Sequence, residues 1–396
     1  MSILVINTGS SSLKFCLFND QASAVILDGE IDWHGRGQPA ELTVRITGQP
    51  ERKTTTDASD SASAVTLAIQ TASDSLPEGQ SIQAVGHRVV HGGTRFLEST
   101  RIDPAFEAEL DHLTELAPLH NPPALKAIKA AENELPKIPQ VAVFDTSFFA
   151  NLPRSAAVYP VPWVWHENYG IRRFGFHGIS HSYCTGRAAE ILERPADSLR
   201  LVICHLGNGC SAAAVKNGVA IDTTMGFTPL DGLMMGTRSG EVDPGILLYL
   251  MKEKGLSADQ IDEALNHRSG LLGISGTSSD YRRVESAAGA GDDRARLALE
   301  IYAARVRSAI GSLAATLGGL DALIFAAGVG ENSATLRSAA TKGLEFLGVQ
   351  IDPLKNNNHP VDAAISTAES RSKVLVIHTR EELMIAREVA KLIARA

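Results

Sequence analysis

Three short glycine segments follow apolar runs in this chain: NTGSSSLK at residues 7–14, HLGNG at 205–209 and GVGEN at 328–332. Such turns cluster backbone N–H groups, and the first adds hydroxyls and the cation of Lys14, a donor set suited to phosphoryl oxygens. For any one of them an ordinary turn is the alternative reading; three together point to a bound nucleotide. The spacing GxxxxGK[ST] is missing, which disfavours a P-loop, and no GxGxxG follows the first strand, which disfavours dinucleotide binding. His177 and His181 stand four apart in HGISH, without the glutamate of an HExxH site, so zinc is not expected. Gly218, in KNGV, is read as a positive-φ turn residue.

The elements that must carry these turns follow from periodicity. ILVIN, LKFCLF, AVILDGEI and LTVRIT read as antiparallel strands, followed by a polar loop, GQPERKTTTDASDSAS. AVTLAIQTAS has helical spacing, and QAVGHRVVHGG is a strand entering a Gly-Gly turn, so the chain opens as βββαβ. Near residue 200 the pattern restarts: RLVICHLGNGCSAAAVKNGVAIDTT reads as strand, glycine turn, strand, Asn-Gly turn, strand. Setting Leu4, Val5 and Ile6 against Leu201, Val202 and Ile203 aligns two small-residue turns after two buried strands, which suggests duplication. Two such hairpins facing each other would keep water from a transferable phosphoryl group. In the middle, a Pro-started helix leads to a buried strand ending at Asp145. LDALIFAAGVGENSATLRSAATKGL reads as strand, glycine turn and helix, with Glu331 and Asn332 at the helix start, where anions are favoured. EELMIAREVAKLIARA reads as a terminal helix packed back on the protein.

A length of 396 residues suggests two or three domains at about 150 residues each. Hydrophobic residues make up 44% and charged residues 21%, ordinary globular usage, so folding is expected throughout. The net charge is −8 and no Lys/Arg run could track a phosphate backbone, so nucleic acid is not an expected partner. The opening segment lacks the basic and apolar regions of a signal peptide, and no stretch of about 18 apolar residues occurs. With four scattered cysteines, Cys16, Cys184, Cys204 and Cys210, read as buried thiols, a soluble cytoplasmic protein without membrane contact is expected.

VINTGSSSLK, GHRVVHGG, FDTSFF, RRFGFHGISH, HLGNGCS, GTRSGEVDPG and FAAGVGEN together resemble the acetate kinase family, and the resemblance runs nearly end to end. It implies the fold of the acetate and sugar kinase, heat-shock cognate and actin superfamily. That fold is α/β, a duplicated βββαβαβα core (actin-like ATPase, ribonuclease H-like) with the nucleotide between the halves. The expected domains are 1–147, completed by a helix at 381–396, and 148–380, which would carry nucleotide binding and dimerisation. The resemblance also implies a homodimer and a requirement for Mg2+, with Mn2+ as a substitute.

Residue by residue, the same resemblance implies that Arg88 binds the substrate carboxylate, that Arg238 neutralises phosphoryl oxygens and that His177 contacts the phosphoryl group. Asp145 aligns with the family's essential aspartate. A carboxylate substrate ionises near pH ~4.3 and needs no base at neutrality, so Asp145 is read as orienting an arginine or a metal-bound water. The chemical difficulty is the meeting of two anions, which calls for cations, donors and alignment. Asn7 and Glu381 resemble the Mg2+ ligands; the usual Thr-Asn-Glu-Glu reads Thr379-Arg380-Glu381-Glu382 here, which places an extra cation beside them. For ATP and ADP the implied set is Ser10, Ser12, Lys14, His205, Leu206, Gly207, Asn208, Gly209, Asp280, Tyr281, Arg282, Gly328, Val329, Gly330, Glu331 and Asn332. Val90, Leu119, Phe176 and Pro229 stand where the family places an apolar pocket for the methyl group.

The expected reaction is therefore reversible transfer of the ATP γ-phosphoryl group to acetate, giving acetyl phosphate and ADP. A propionate or butyrate kinase would differ only in pocket size. A nucleotide-gated protein of the actin type would share the ATP site but lack Arg88 and the HGG turn, and a sugar kinase would need a base for its hydroxyl acceptor.

Overall fold

The computed structural model describes residues 2–9, 12–19, 21–33, 39–117 and 120–394. Ser10 and Leu119, both expected at the site, lie outside the described residues. The chain divides into two units, Met1–Ala150 with Arg380–Ala396, and Asn151–Thr379.

In the first unit the described strands are β1 (Ser2–Thr8), β2 (Ser12–Phe18), β3 (Val25–Asp32), β4 (Ala40–Ile46), β5 (Arg52–Thr56), β6 (Ile82–Val89), β7 (Thr100–Arg101) and β8 (Gln140–Phe144). They form one sheet in the order β5-β4-β3-β2-β1-β6-β8-β7. The first five strands pair antiparallel, whereas β1, β6 and β8 run parallel. Strand β1 is buried along most of its length because helices cover both of its faces. On one side Leu4, Ile6, Leu13 and Phe15 pack with Ala64, Val65 and Ala68 of helix Ser61–Asp74. On the other lies the terminal helix Glu381–Ile393, at home over β6 because residue 86 is glycine. A Cβ there would stand 2.7 Å from Val389 Cγ2 and 2.8 Å from Ile385 Cγ2.

The second unit repeats the plan with β9 (Arg200–Leu206), β10 (Cys210–Lys216), β11 (Val219–Thr223), β12 (Ala322–Ala326), β13 (Ala363–Ala364) and β14 (Lys373–Val376). Their order is β11-β10-β9-β12-β14-β13. The run β3-β2-β1-β6-β8 matches β11-β10-β9-β12-β14 strand for strand and direction for direction, so the duplication suggested by the Leu-Val-Ile alignment is a duplication of topology. Gly218 takes φ 77°, the left-handed value expected for the Asn-Gly turn. All four cysteines are buried.

Two readings of the sequence are corrected. The polar stretch after β4 is not all loop: Arg52–Thr56 adds strand β5 at the sheet edge, paired with β4. Its residues are almost wholly exposed, so no apolar alternation announced it; consecutive threonines favour extended backbone without burial. GVGEN is not a turn before a helix either. It lies within a one-and-a-half-turn helix, Ala327–Asn332, so Glu331 and Asn332 end that helix rather than begin one. The next helix, Ala334–Thr341, is capped by Ser333, whose hydroxyl accepts from Leu336 N.

His87, on β6, is 2% exposed and donates from Nε2 to Gln140 Oε1 on β8 at 2.7 Å. Burial pushes its pKa down to about 4, the bond to Gln140 offsetting only part of that. An unfolded histidine takes its proton near pH 6.5, so between about 6.5 and 4 the unfolded state binds more protons and stability falls as pH falls. The full effect is worth about 3 kcal/mol. Urea unfolding of His87→Gln across that window is expected to give a shallower pH dependence than the parent chain; identical slopes would remove His87 from the account.

Candidate active site

In the first unit Asn7 near the end of β1, Arg88 on β6 and Asp145 just after β8 meet at the carboxyl ends of three parallel strands, joined by Glu381 and Glu382 from the first turn of the terminal helix. This is where open α/β sheets place ligands. Arg88 is the hub. Its Nη2 donates to Asp145 Oδ2 at 2.6 Å, its Nε reaches Oδ2 and Oδ1 of the same carboxylate at 3.2 and 3.3 Å, and its Nη1 donates to Asn7 Oδ1 at 3.2 Å. Glu381 Oε2 stands 3.8 Å from Nη1. Asp145 is 1% exposed and the Arg88 side chain 21%. Burial opposes the charge on Arg88, but Asp145, Glu381 and Glu382 outweigh it and hold its pKa above the ordinary value.

Glu381 shows the reverse balance. Burial raises its pKa, Arg88 and Lys14 pull it down, and the neighbouring Glu382 adds repulsion, leaving the carboxyl above its usual range. Asn7 Nδ2 faces Glu382 Oε1 at 3.4 Å, so Asn7 touches both the arginine and a carboxylate. Lys14 lies opposite Asn7 in the β1–β2 register. An amide oxygen and two crowded carboxylates are hard donors whose mutual repulsion a divalent cation would relieve, so the residues fit Mg2+. Among the described residues no group of three or more His, Cys, Asp or Glu side chains is placed to hold a metal ion. Val90 is half-buried just beyond β6, and Ser12 half-buried at the start of β2.

In the second unit the groups of interest gather on β9, the β9–β10 turn and the start of helix Gly178–Leu192. His177 caps that helix in the left-handed conformation, φ 59° and ψ 26°, a strain of the kind that concentrates at functional sites. Its Nδ1 is 2.9 Å from Ser211 Oγ, which is 2.8 Å from His181 Nε2. The rings of His177 and His205 stack at 4.2 Å, and His205 Nδ1 is bonded to Ser180 Oγ at 2.7 Å. Arg238 donates from Nη1 to Pro229 O at 2.6 Å; burial lowers its pKa, and among the described residues no carboxylate stands within ion-pair distance of it. Gly209 lies beneath both groups: a Cβ on it would sit 2.8 Å from Arg238 Nη2 and 3.3 Å from His177 Nε2. Phe176 is fully buried and Pro229 half-buried.

A cavity of about 800 Å3 adjoins this turn, within the range of small-molecule and cofactor sites. It collects Gly207, Asn208, Asp280, Tyr281, Arg282, Gly328, Val329 and Asn332 from the expected nucleotide set, although they come from three separate stretches. Asp280 caps helix Tyr281–Gly289 and pairs with Arg282 at 2.6 Å. Leu206, Gly330 and Glu331 are not on the cavity wall. Leu206 is in the core, Gly330 O accepts from Arg337 Nη1, and Glu331 turns away to His378 Nδ1 at 2.7 Å and Thr379 N at 3.2 Å. Leu271, Ser279, Glu285 and Ser333 line the cavity without having been expected there; no motif marks them. Ser211 and His181 were also missed as partners of His177, although the i, i+4 spacing in HGISH offered a hint.

Fold and site together define a class: a kinase, a phosphotransferase on a duplicated actin-like α/β frame. The chain belongs to the acetokinase family, which it matches over residues 2–387. It is 50% identical to the acetate kinase of a Cyanothece species over 99% of this chain and 98% of that one, and 50% identical to the acetate kinase of Gloeobacter violaceus over 98% of each. Among solved structures, Porphyromonas gingivalis acetate kinase superposes with a TM-score of 0.91 at 41% identity, covering 99% of both chains. A propionate kinase from Francisella tularensis gives 0.91 at 39% identity, covering 98% of this chain and 99% of that one.

Gly209 does not sit at positive φ, so its backbone accepts alanine and the substitution acts only through Arg238 and His177. Displacing reactive groups by about 1 Å can cost about 100-fold in rate. Gly209→Ala is expected to lower phosphotransfer turnover by about that factor with unfolding unchanged; wild-type turnover would show that neither side chain needs its present place.

Proposed function

We propose that this chain catalyses reversible, Mg2+-dependent transfer of the ATP γ-phosphoryl group to acetate by direct in-line displacement. The observation that carries the reading is the clamp on Arg88. A guanidinium has five N–H donors; Asp145 and Asn7 engage three, leaving one N–H on Nη1, toward Glu381, and one on Nη2. That remaining fork is the geometry a carboxylate accepts in two contacts. Asp145, its charge engaged by Arg88, serves as the orienting group and not as a base, which an ionised acceptor does not require.

Arg238 and His177 act on the phosphoryl side. Arg238, with no carboxylate in ion-pair range among the described residues, has its charge available for the equatorial oxygens, and His177 Nε2 would donate to the same oxygens as charge develops. Asn7 and Glu381, with Glu382 beside them, would hold Mg2+, which supplies charge neutralisation at the phosphate oxygens. The cavity beside Gly207 and Asn208 takes the nucleoside. Val90, Phe176 and Pro229, with Leu119, are the groups assigned to the acetate methyl. One added methylene costs about 1 to 3 kcal/mol in such a pocket, so propionate would be a poorer substrate rather than an excluded one. Acetate is favoured because relatives named acetate kinase reach 50% identity over nearly the whole chain.

The protein would act in the cytoplasm, where its four buried thiols stay reduced. It would act as a homodimer. Helices Trp163–Tyr169 and Pro244–Lys254 have no buried residue, yet they expose Trp163, Val164, Trp165 and Tyr169, and Ile246, Leu248, Tyr249 and Met251. Apolar surface of this kind marks an interface, and a second copy of the chain would cover it.

Incubation with ATP, Mg2+ and acetate is expected to yield acetyl phosphate, trapped as the hydroxamate. Arg88→Ala should lower that yield by about 100- to 1000-fold while ATP binding survives. Failure of the parent chain to form acetyl phosphate would end the proposal. Sedimentation should give a particle of twice the chain mass, and Leu248→Glu with Tyr249→Glu should shift it to the monomer; a monomeric parent chain would rule out the interface.

A further inference from the structure

The contact between His177 and Ser211 has a consequence for where the protons sit. Ser211 and His181 are both 0% exposed, and Ser211 Oγ lies 2.9 Å from His177 Nδ1 and 2.8 Å from His181 Nε2. A serine hydroxyl has one hydrogen, so it donates to one ring and accepts from the other. Two orders are available to neutral rings. If Ser211 donates to His181, His177 carries its hydrogen on Nδ1 and presents a bare lone pair at Nε2. If His181 Nε2–H donates to Ser211, Ser211 donates to His177 Nδ1, and the hydrogen of His177 stands on Nε2.

The surroundings of Nε2 choose between them. That atom and Arg238 Nη2 converge above Gly209, 3.3 Å and 2.8 Å from where a Cβ on that residue would be. A lone pair there would repel a phosphoryl oxygen, whereas an N–H would donate to it beside the guanidinium. A doubly protonated His177 would put a second cation next to Arg238, against the stacked ring of His205. His181 is itself held neutral: burial, with His205 adding to it, drops its pKa well below the usual histidine range. The stacking fixes the plane of the His177 ring, and the Ser211 bond fixes which edge faces the site. What remains to be set is the tautomer.

We propose that His181 and Ser211 are positioning residues, a two-member relay that holds His177 as the neutral Nε2–H tautomer so that it acts as a hydrogen-bond donor beside Arg238. The relay rests on the phosphotransfer reading for its purpose, but its existence can be measured without turnover. It assigns a task to the second histidine of HGISH and to the serine of HLGNGCS, neither of which touches the reacting groups. It also accounts for their complete burial, since a relay open to water would exchange its hydrogen-bond direction freely.

The test is two-bond 15N–1H correlation spectroscopy on the full chain labelled with 15N-histidine, at neutral pH, with the His177 signals identified by their loss in His177→Gln. The expected result is a His177 ring protonated at Nε2 and bare at Nδ1. In Ser211→Ala this pattern should give way to a mixture of tautomers, with kcat lower by about 10- to 100-fold and the KM values for acetate and ATP little changed. A parent-chain His177 bare at Nε2, or protonated at both nitrogens, overturns the relay, and so does a Ser211→Ala chain that keeps the Nε2–H tautomer. Should Ser211→Ala fail to fold, the parent-chain spectrum decides alone. A chain that makes no acetyl phosphate would sink the phosphotransfer reading while leaving the tautomer measurement standing, so the two failures are distinguishable.

Discussion

Arg88 stands among Asn7, Asp145 and Glu381, only one-fifth exposed, and the layout of the first unit follows from what it costs to keep a cation in that place. A partly buried guanidinium without counter-charge would be strongly disfavoured, and one whose donors were all engaged could bind nothing. The answer is one carboxylate, Asp145, gripping an edge of the group, with a neutral amide on a terminal nitrogen and a second carboxylate, Glu381, 3.8 Å from that same nitrogen. Arg88, Asn7 and Asp145 stand at the ends of three parallel strands, so the parallel core β1-β6-β8 is what brings them together. Glycine at position 86 serves the same end, since it lets the terminal helix approach β6 and deliver Glu381 and Glu382.

The second unit solves a different problem with the same strand plan. Its polar groups crowd around the β9–β10 turn, and small residues mark where they come close. Gly209 leaves room under His177 and Arg238, and Gly236 leaves room for the Asn208 amide, which a Cβ would strike. Two non-glycine residues, His177 and Ala327, take left-handed backbone at the starts of helices leading from this region, at φ 59° and 64°. Left-handed backbone costs about 1 to 2 kcal/mol for such residues, so the surrounding fold has to impose it. Arg337 contributes: 1% exposed, it donates to Gly330 O, Glu331 O and both oxygens of Asn356, and so secures the end of the helix that carries GVGEN.

Much of this was legible in order along the chain and little of it in space. The hairpins of both units showed as alternating apolar runs broken by glycine turns, because each strand is buried by residues close in sequence. β5 did not show, since an edge strand exposed on both sides leaves no hydrophobic trace. GVGEN misled because glycine reads as a turn, whereas here two glycines sit in a short helix that follows the buried strand β12. Arg88 and Asp145 were both singled out, but their contact spans 57 positions and no local pattern encodes it. The cavity wall drew Leu271, Ser279, Glu285 and Ser333 from segments without any motif.

What the amino-acid order determined by itself was the inventory: a repeated α/β plan, glycine turns suited to phosphate, and arginines, histidines and an aspartate in recognisable settings. These are local properties, set by side-chain chemistry and by the periods of strand and helix. The tertiary structure decided which of those groups face one another, that Asp145 holds Arg88, that Ser211 joins two histidines, and that Glu331 turns to His378 instead of the cavity. Partnerships of that kind depend on how strands distant in sequence are brought side by side, and on which small residues let them approach, neither of which a local pattern records.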